Sequence, residues 1–597
     1  MAEEIKESER DTYELGQILR RWTQAWSWAS PQHNKAKGWY KAYRNYRDAN
    51  SHAYKYNYSD PLIFIHIENI ASTLINSFFD NPNPATITPR EAMNMVRPDI
   101  PDEIVARQVE KAINALMTDP DRDLLPEIAD FFKSLCIFGN SETLCLPEFD
   151  FEDIDPDTGP VYLGPKIVYQ DYFDTFPDPR AYRWNKGRWG FLREVLSFDE
   201  LKQRQKHEGY KNVDVLKNSD TIDAYSAENI HEELLSTLGL AAQREFAYDE
   251  VNNMIGILHF LVDKGHIVTI GANRVLLRDT RKPVSFDAGG QTYNMVIKPY
   301  PYEIVDDLRL WPVPKEYWGI GVAEMLKGHQ DIINLFTSMR LENLELAIHK
   351  IFLANPNYDL DVDNLIFAPG NIILAPDLDR ALKEMESKDV TTGAWNEVSY
   401  QEGRANDASG MLELLRGSTP SRRETATTIV QLQRAGLKRI ETLLKFIGIQ
   451  WFRSILKKVL LQIRTYMTPM EYMRLIGEPD AGFYRLTVKE ISRFFDIMPS
   501  ATSLSQLKEL EQQQFLQLYQ VFAQQVDIAD RQELMRYATQ LFLPHLRPDK
   551  FLLKEPTIPQ GHTNGITPPA KSETVPAGQP GPQDIMQFIQ PREGLIQ

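Results

Sequence analysis

The chain has 597 residues, 42% of them hydrophobic and 11% aromatic, enough for a sizeable core and more than one domain. Its formal net charge of −17 argues against a basic nucleic-acid-binding surface, but is compatible with DNA moving through a repulsive channel. Two cysteines, Cys136 and Cys145, exclude a disulfide framework or a cysteine-rich zinc site and leave a reducing interior as the default compartment.

The N-terminal MAEEIKESERDTYEL has no apolar signal core, and nowhere do 18 consecutive apolar residues occur, so no transmembrane helix is expected. Residues 1–60 read as aromatic-rich helices, with Ser30-Pro31 expected to interrupt them. The run WYKAYRNYRDANSHAYKYNY alternates aromatics with Lys and Arg. That pattern fits base stacking with phosphate contact, or amphipathic helices docking on a larger body. The second reading is preferred, because no loop or strand platform is evident. Residues 61–80 form an apolar helix ending in NPNPATITP, in which His66 reads as a structural histidine. Two helices follow over residues 101–138.

Residues 144–183 read as strands, with Asp155-Pro156-Asp157-Thr158-Gly159 as a hairpin turn. Asp153, Asp155 and Asp157 have calcium-loop spacing, but the glycine comes one place late and no Glu stands at the twelfth position. A turn with solvated acids is expected instead. Ser197 and Glu200 form a capping box. Residues 247–300 return to strands, with turns at Asp263-Lys264-Gly265, Gly271-Ala272-Asn273 and Gly289-Gly290. His259 and His266 have no third ligand-type partner nearby, so zinc is not expected.

The stretch 312–353 organises the chain. An aromatic entry ends in Gly319 and Gly321, and apolar residues then recur at threes and fours from Val322 to Ile351. A helix over 321–353 would span roughly 48 Å at 1.5 Å per residue. Its length demands an equally long partner, expected near residue 405 and in neighbouring copies of the chain. Residues 355–377 read as a β-rich insert with turns at Asn355-Pro356 and Pro369-Gly370, and a helix resumes through TGAWNEVSYQEGRANDASGMLELLRG. After the polar Gly417–Arg423 segment a helix runs to about Met467, with Gly436 and Gly448 as bends. Between Arg422 and Arg464 it carries ten Lys or Arg and two acids. A small mixed element at 472–500 and Gln-rich helices to 543 follow. From Glu555 the chain has eight prolines in 43 residues and is expected to be disordered.

There is no G-x-x-x-x-G-K-[ST], G-x-S-x-G or H-E-x-x-H. Gly319-Ile320-Gly321 lacks the third glycine and preceding strand of a dinucleotide site. No cofactor, metal or catalytic residue is implied. An enzyme, such as a carboxylate-dependent metal nuclease or hydrolase, is the weaker reading and needs acids gathered in a magnesium-holding pocket.

Several stretches in this order resemble the portal (head-to-tail connector) proteins of tailed double-stranded DNA bacteriophages, of the podovirus-like kind. They are DYFDTFPDPRA, PVPKEYWGIGVAEMLKGHQDIINLFTSMRLENLELA with Gln330 and Asn334, GSTPSRRETATTIVQLQ, and FDIMPSATSLSQLKELEQ. The resemblance spans roughly residues 120–545 and rests on the order of the stretches, since no one of them is diagnostic. It implies an α+β, predominantly α-helical portal-type fold with wing, stem, clip and crown, assembled as a ring around a central channel. The wing would be 1–320, with a long wing helix and return at 424–500. Stem helices would be 321–353 and 395–415, the clip 354–394, the tunnel loop 416–423, the crown 501–553, and a disordered tail 554–597.

The resemblance further implies a twelve-copy ring at one capsid vertex in the virion, made in the host cytoplasm, through which double-stranded DNA is packaged and ejected. Implied partners are further copies of the chain, the terminase large subunit, major capsid and scaffolding proteins, and a tail adaptor or head-completion protein; no membrane is involved. Tunnel-loop contacts to DNA would fall on Arg416, Ser418, Thr419, Ser421, Arg422 and Arg423, although ion pairs of the arginines with Glu413 or Glu424 are an equal reading. Clip docking would fall on Tyr358, Asp359, Asp361, Asp363 and Asn371. Twelve copies at −17 carry roughly −200 formal charges, which would keep sliding DNA from sticking. Another virion structural or core protein is the alternative.

Overall fold

The computed structural model describes residues 2–47, 55–79, 84–89, 102–119, 122, 124–155, 159–207, 209–218, 254–262, 265–271, 274–280, 284–288, 291–295, 302–348, 352–355, 357, 382–384, 391–410, 442–467 and 495–499. In chain order the elements begin with α1 (Ala2–Tyr43), α2 (Leu62–Phe79), β1 (Ala85–Pro89), α3 (Asp102–Met117), α4 (Leu124–Phe138), β2 (Asn140–Asp155), β3 (Gly159–Gln170) and β4 (Thr175–Pro177). Next come β5 (Trp189–Ser197), α5 (Phe198–His207), β6 (Met254–Val262), β7 (His266–Gly271), β8 (Val275–Asp279), β9 (Val284–Ala288), β10 (Gln291–Met295) and β11 (Val305–Arg309). The last are α6 (Val322–Ile348), β12 (Phe352–Ala354), β13 (Leu382–Glu384), α7 (Thr391–Ser409), α8 (Arg453–Tyr466) and β14 (Phe495–Pro499). Helix and strand are mixed throughout, in keeping with an α+β chain.

Two sheets carry the body. One is three-stranded, in the order β11-β2-β3, and the other five-stranded, in the order β4-β5-β6-β7-β8. Both are antiparallel throughout. β2 pairs with β3 on either side of the expected Asp155 turn, and β6-β7-β8 and β9-β10 pair on either side of the expected glycine turns, most of whose own residues lie outside the described ones. The capping box forms as read: Ser197 N donates to Glu200 Oε2 at 2.8 Å, and Glu200 N to Ser197 Oγ at 3.3 Å.

The five-stranded sheet shows the period of two on its buried residues. Phe191, Leu258, Phe260, Val268 and Ile270 face α1, whereas Leu192, Leu261 and Ile267 pack with Trp184, Tyr302 and Tyr317. Helix α1 lays Ile18, Trp22, Ala25 and Ala29 on the first face. Of the run read at 39–58, Trp39 is buried and Tyr40 and Tyr43 pack against the larger core, as the docking reading expects, while 48–54 lie outside the described residues. The expected break at Pro31 does not occur, because α1 is one helix with Pro31 inside it. Ala29, His33 and Ala36, on either side of the proline, are all buried. That packing offsets the roughly 3 kcal/mol a mid-helix proline costs.

A larger core gathers α2, α3, α4, the start of α6 and residues 443–467. Trp451 is fully buried, stacks on Phe131 at 4.4 Å, and donates its indole N–H to Thr143 Oγ1 at 2.8 Å. The bend expected at Gly448 is a π-helical turn, Ile447–Phe452; Gly436 lies outside the described residues. The strand β1 lies where only a proline-rich stop was expected, and it pairs with β14. Among the described helices, α2 alone has the length and apolarity of a membrane span. It buries Leu62, Ile63, Ile67, Ile70 and Leu74 in the core instead. His66 is buried there too, as the structural reading requires.

The first long helix is shorter than expected. It ends at Ile348, and Phe352–Ala354 pair with Leu382–Glu384 as strands rather than extending it to 353. Its partner begins at Thr391 rather than 395 and ends at Ser409. There Gly410, at φ 73°, returns its N–H to Asn406 O at 3.0 Å. That left-handed glycine cap closes the helix before 415. At the turn expected around Asn355, Asn357 N donates to Asn355 Oδ1 at 3.1 Å, while Pro356 lies outside the described residues. The side chains of Asp153, Asp155 and Asp157, the segment at 424–441, the Gln-rich 503–543 and the tail lie outside the described residues.

Candidate functional site: an anchored helix pair

The entry to α6 is fixed by three glycines. Gly139, at φ +82°, follows α4, and a Cβ there would sit 2.5 Å from Ile320 C. A Cβ on Gly319 would meet Gly139 O at 2.7 Å, and one on Gly321 would meet Ile137 O at 2.5 Å. Two backbones cross here in direct contact, so Gly319-Ile320-Gly321 serves a chain crossing and not a phosphate. Asn140 clamps the crossing, accepting from Gly319 N and donating Nδ2 to Tyr317 O at 3.1 Å. Gly139 O accepts from Leu310 N at 2.9 Å.

The buried row of α6 is only partly apolar. Val322, Ala323, Leu326 and Ile333 are joined by Gln330, Asn334, Thr337 and Ser338. Three of these polar residues, four apart along one face, hold the chain that enters α2. Gln330 Oε1 accepts from Ile63 N at 3.0 Å, Asn334 Oδ1 from Asp60 N at 2.7 Å, and Ser338 Oγ from Tyr58 N at 3.3 Å. Gln330 Nε2 also donates to Ala42 O at 3.2 Å. Ile63 N is an orphan donor of the first turn of α2, so a side chain of one helix satisfies the end of another. An ion pair between Lys55 and Glu345 extends the ladder.

Helix α7 is the expected partner of α6. His329 Nδ1 meets Gln401 Oε1 at 2.7 Å, and Arg340 lies 4.9 Å from the Trp395 ring centroid, so the two helices run antiparallel. Ala394, Val398 and Ala405 are the buried seam of α7. Away from the anchor the pair changes character. Leu344, Leu346, Ile348 and Trp395 are exposed, Ile348 at 67% and Trp395 at 54%, while Tyr400 is exposed nearer the anchor, beside Gln401. Large apolar groups gathered at one end of a helix pair mark an interaction surface.

Beneath the anchor lies a buried acid cluster on β2 and β11. Glu142 is fully buried, and Tyr317 Oη donates to its Oε1 at 2.9 Å. Burial is the largest influence on it, and with Asp307 and Asp171 nearby its carboxyl is pushed up to about 8. Burial likewise raises Glu303 to about 7 against the pull of Lys458. Lys458, on α8, is buried and pairs with Asp306 at 2.7 Å. The basic character read along this helix is thus partly internal. Among the described residues, no three His, Cys, Asp or Glu are grouped to hold a metal ion.

None of the eleven residues expected to touch DNA or docking partners is brought into view. Arg416, Ser418, Thr419, Ser421, Arg422 and Arg423, with Tyr358, Asp359, Asp361, Asp363 and Asn371, lie outside the described residues. The groups that shape the described site were mostly passed over in the sequence. Gly139-Asn140 follows an apolar helix as a cap signal, which was available locally; Ser338 and Glu142 carry no local signal.

No curated protein matches the chain. Residues 298–543 match the family model described as phage SU10 portal protein. That match takes in β11, the anchored α6, its partner α7 and the buried α8, and it supports a phage portal protein.

Proposed function

We propose that the chain is the subunit of a closed portal ring, of about twelve copies, at one capsid vertex. Double-stranded DNA passes through the ring during packaging and ejection. The observation that carries this reading is the α6–α7 pair: firmly held at its base, and bearing Leu344, Ile348 and Trp395 uncovered toward its far end. A head-to-tail contact between copies around an axis covers such a surface and closes when the rotation closes. In this reading 1–320 and 424–500 form the wing, α6 and α7 (Val322–Ile348 and Thr391–Ser409) the stem, 349–390 between them the clip, 416–423 the tunnel loop, 501–553 the crown and 554–597 the tail.

The clip, with Tyr358, Asp359, Asp361, Asp363 and Asn371, docks the terminase large subunit and then the tail adaptor. Major capsid and scaffolding proteins meet the outer body. Arg416, Ser418, Thr419, Ser421, Arg422 and Arg423 contact the passing duplex, within a channel otherwise acidic at −17 per chain. The role is structural, not enzymatic, and needs no cofactor. Electron micrographs of the purified full chain are expected to show rings with a central hole, and mass measurement a closed oligomer of about a dozen chains. Monomers under every condition of salt and concentration would remove the proposal.

A further inference from the structure

The turn that follows β4, within the DYFDTFPDPRA stretch, builds a feature that a conduit does not use. Asp178 is buried, and both its oxygens are engaged by the turn. Oδ1 accepts from Arg180 N at 3.0 Å and Oδ2 from Arg188 N at 3.3 Å. Arg180, Lys186 and Arg188 line one cavity of about 960 Å³, and Arg21 of α1 joins them. Trp28 and Trp189 also line it, Trp28 being stacked on Trp318 at 5.5 Å. Among the described residues, no carboxylate side chain pairs with any of these four cations. Asp178 lines the same space, so in a chain of net charge −17 four cations against one carboxylate make a local positive field.

We propose that this cavity binds a nucleoside phosphate. Guanidinium forks match phosphate oxygens two at a time, and Arg180 and Arg188 stand on the same turn. Indole walls offer a planar base a stacking surface. Gln24 and Ser27, three apart on α1, face the same space and supply hydrogen-bond partners for a base or sugar edge. The volume suits a ligand of nucleotide size. An acidic protein surface would find the charges but has no use for the concavity or the indoles. The ligand is a free nucleotide or the terminal residue of a nucleic-acid strand, since both present a phosphate beside a base.

The test is calorimetric titration of the full chain with ATP, with inorganic tripolyphosphate, with a 5′-phosphorylated ten-nucleotide DNA strand, and with an oligoglutamate peptide. Saturation by ATP at one per chain is expected, with tripolyphosphate weaker. The double variant Arg180→Ala/Arg188→Ala should weaken ATP binding about tenfold or more. Both side chains are exposed and the Asp178 bonds use backbone N–H groups, so the variant keeps the turn. Tighter binding of the strand than of ATP, lost in the same variant, assigns the strand end as the source. Four results overturn the proposal: no saturable binding of ATP or strand at millimolar concentration, tripolyphosphate equal to ATP, affinity unchanged in the variant, or preference for the glutamate peptide. None of them bears on ring formation, which is measured separately.

Discussion

Replacing Glu142 by glutamine should stabilise the protein near neutral pH, although it removes a buried hydrogen-bonding acid. The folded state holds this carboxyl at about 8, against an ordinary value of 4.5. Between those values the folded chain keeps a proton that the unfolded chain has released. Stability contributed by the protonated acid is therefore complete below pH 4.5 and is lost as the pH climbs toward 8. At 1.36 kcal/mol per pH unit, that loss approaches about 5 kcal/mol across the window and about 3 kcal/mol at pH 7. The substituted amide has no proton to lose in this range, and its carbonyl oxygen still accepts from Tyr317 Oη. Urea unfolding followed by tryptophan fluorescence, for parent and variant at pH 5, 6, 7 and 8, isolates the effect by difference. Glu303 and Asp306 add slopes of the same sign to both proteins and cancel to first order. The gap between variant and parent midpoints should widen in favour of the variant as the pH rises. Parallel pH profiles, or a deficit at every pH, would falsify the buried neutral acid.

The other predictions concern the anchor, the ladder, a buried histidine and the exposed end. Gly139→Ala should destabilise by about 2 kcal/mol or more, through its left-handed backbone and the contact with Ile320. By contrast, Gly328→Ala, in open space on α6, should stabilise by about 0.5–1 kcal/mol; thermal melts that rank the two the other way refute the crossing. Asn334→Ala removes the acceptor for Asp60 N and should cost about 1–3 kcal/mol. Hydrogen exchange should then rise at residues 55–63, and unchanged protection there counts against the ladder. His33, among the rings of Tyr172, Phe173, Phe176 and Trp318, is held at about 3 by burial, with Arg193 and Lys37 adding to it. Its folded value lies below its ordinary 6.5, so stability present above pH 6.5 should drain away as the pH falls toward 3, and His33→Phe should flatten that limb of the unfolding profile. Leu344→Asp with Ile348→Asp should leave the melting temperature unchanged and lower the ring fraction in mass photometry, because both residues are exposed in the single chain.

What could be read from the sequence is what local rules govern. The β2–β3 hairpin, the Ser197–Glu200 box and the β6-β7-β8 turns each declare themselves within a few residues. The misreadings arise where a distant partner decides. Phe352 and Leu353 continue a helical apolar rhythm, yet they pair with Leu382–Glu384 as strands. Ala85–Pro89 looks like a proline-rich stop until β14 arrives from the far side of the chain. Gln330 and Asn334 stood out as part of a resemblance, but their work depends on Ala42, Asp60 and Ile63, which no spacing along α6 reveals. Pro31 breaks a helix in isolation, and the burial of Ala29, His33 and Ala36 on either side of it, against the sheet and the larger core, keeps it whole. Glu142 has the same character: nothing beside it in the sequence marks it, and only the layers that bury it raise its carboxyl to about 8.

The π turn at Ile447–Phe452 also sets the aim of everything after it. Buried residues around it fall in steps of four: Leu443, Ile447, Trp451, Ile455, Val459 and Ile463. On a regular α-helix each such step overshoots a full turn by about 40°, and the stripe would wind more than halfway round the axis. The wider turn takes up part of that winding, like a shim under one end of a beam. Lys458 and Gln462 thereby arrive opposite Asp306 and the hydroxyl of Tyr302. Deleting one residue from the regular helix between Arg453 and Lys457 would swing the rest of the helix by about 100° on its own axis. Lysine, glutamine and the apolar edge would then exchange places, and the β11 side of the body would lose its counter-charge in a single step.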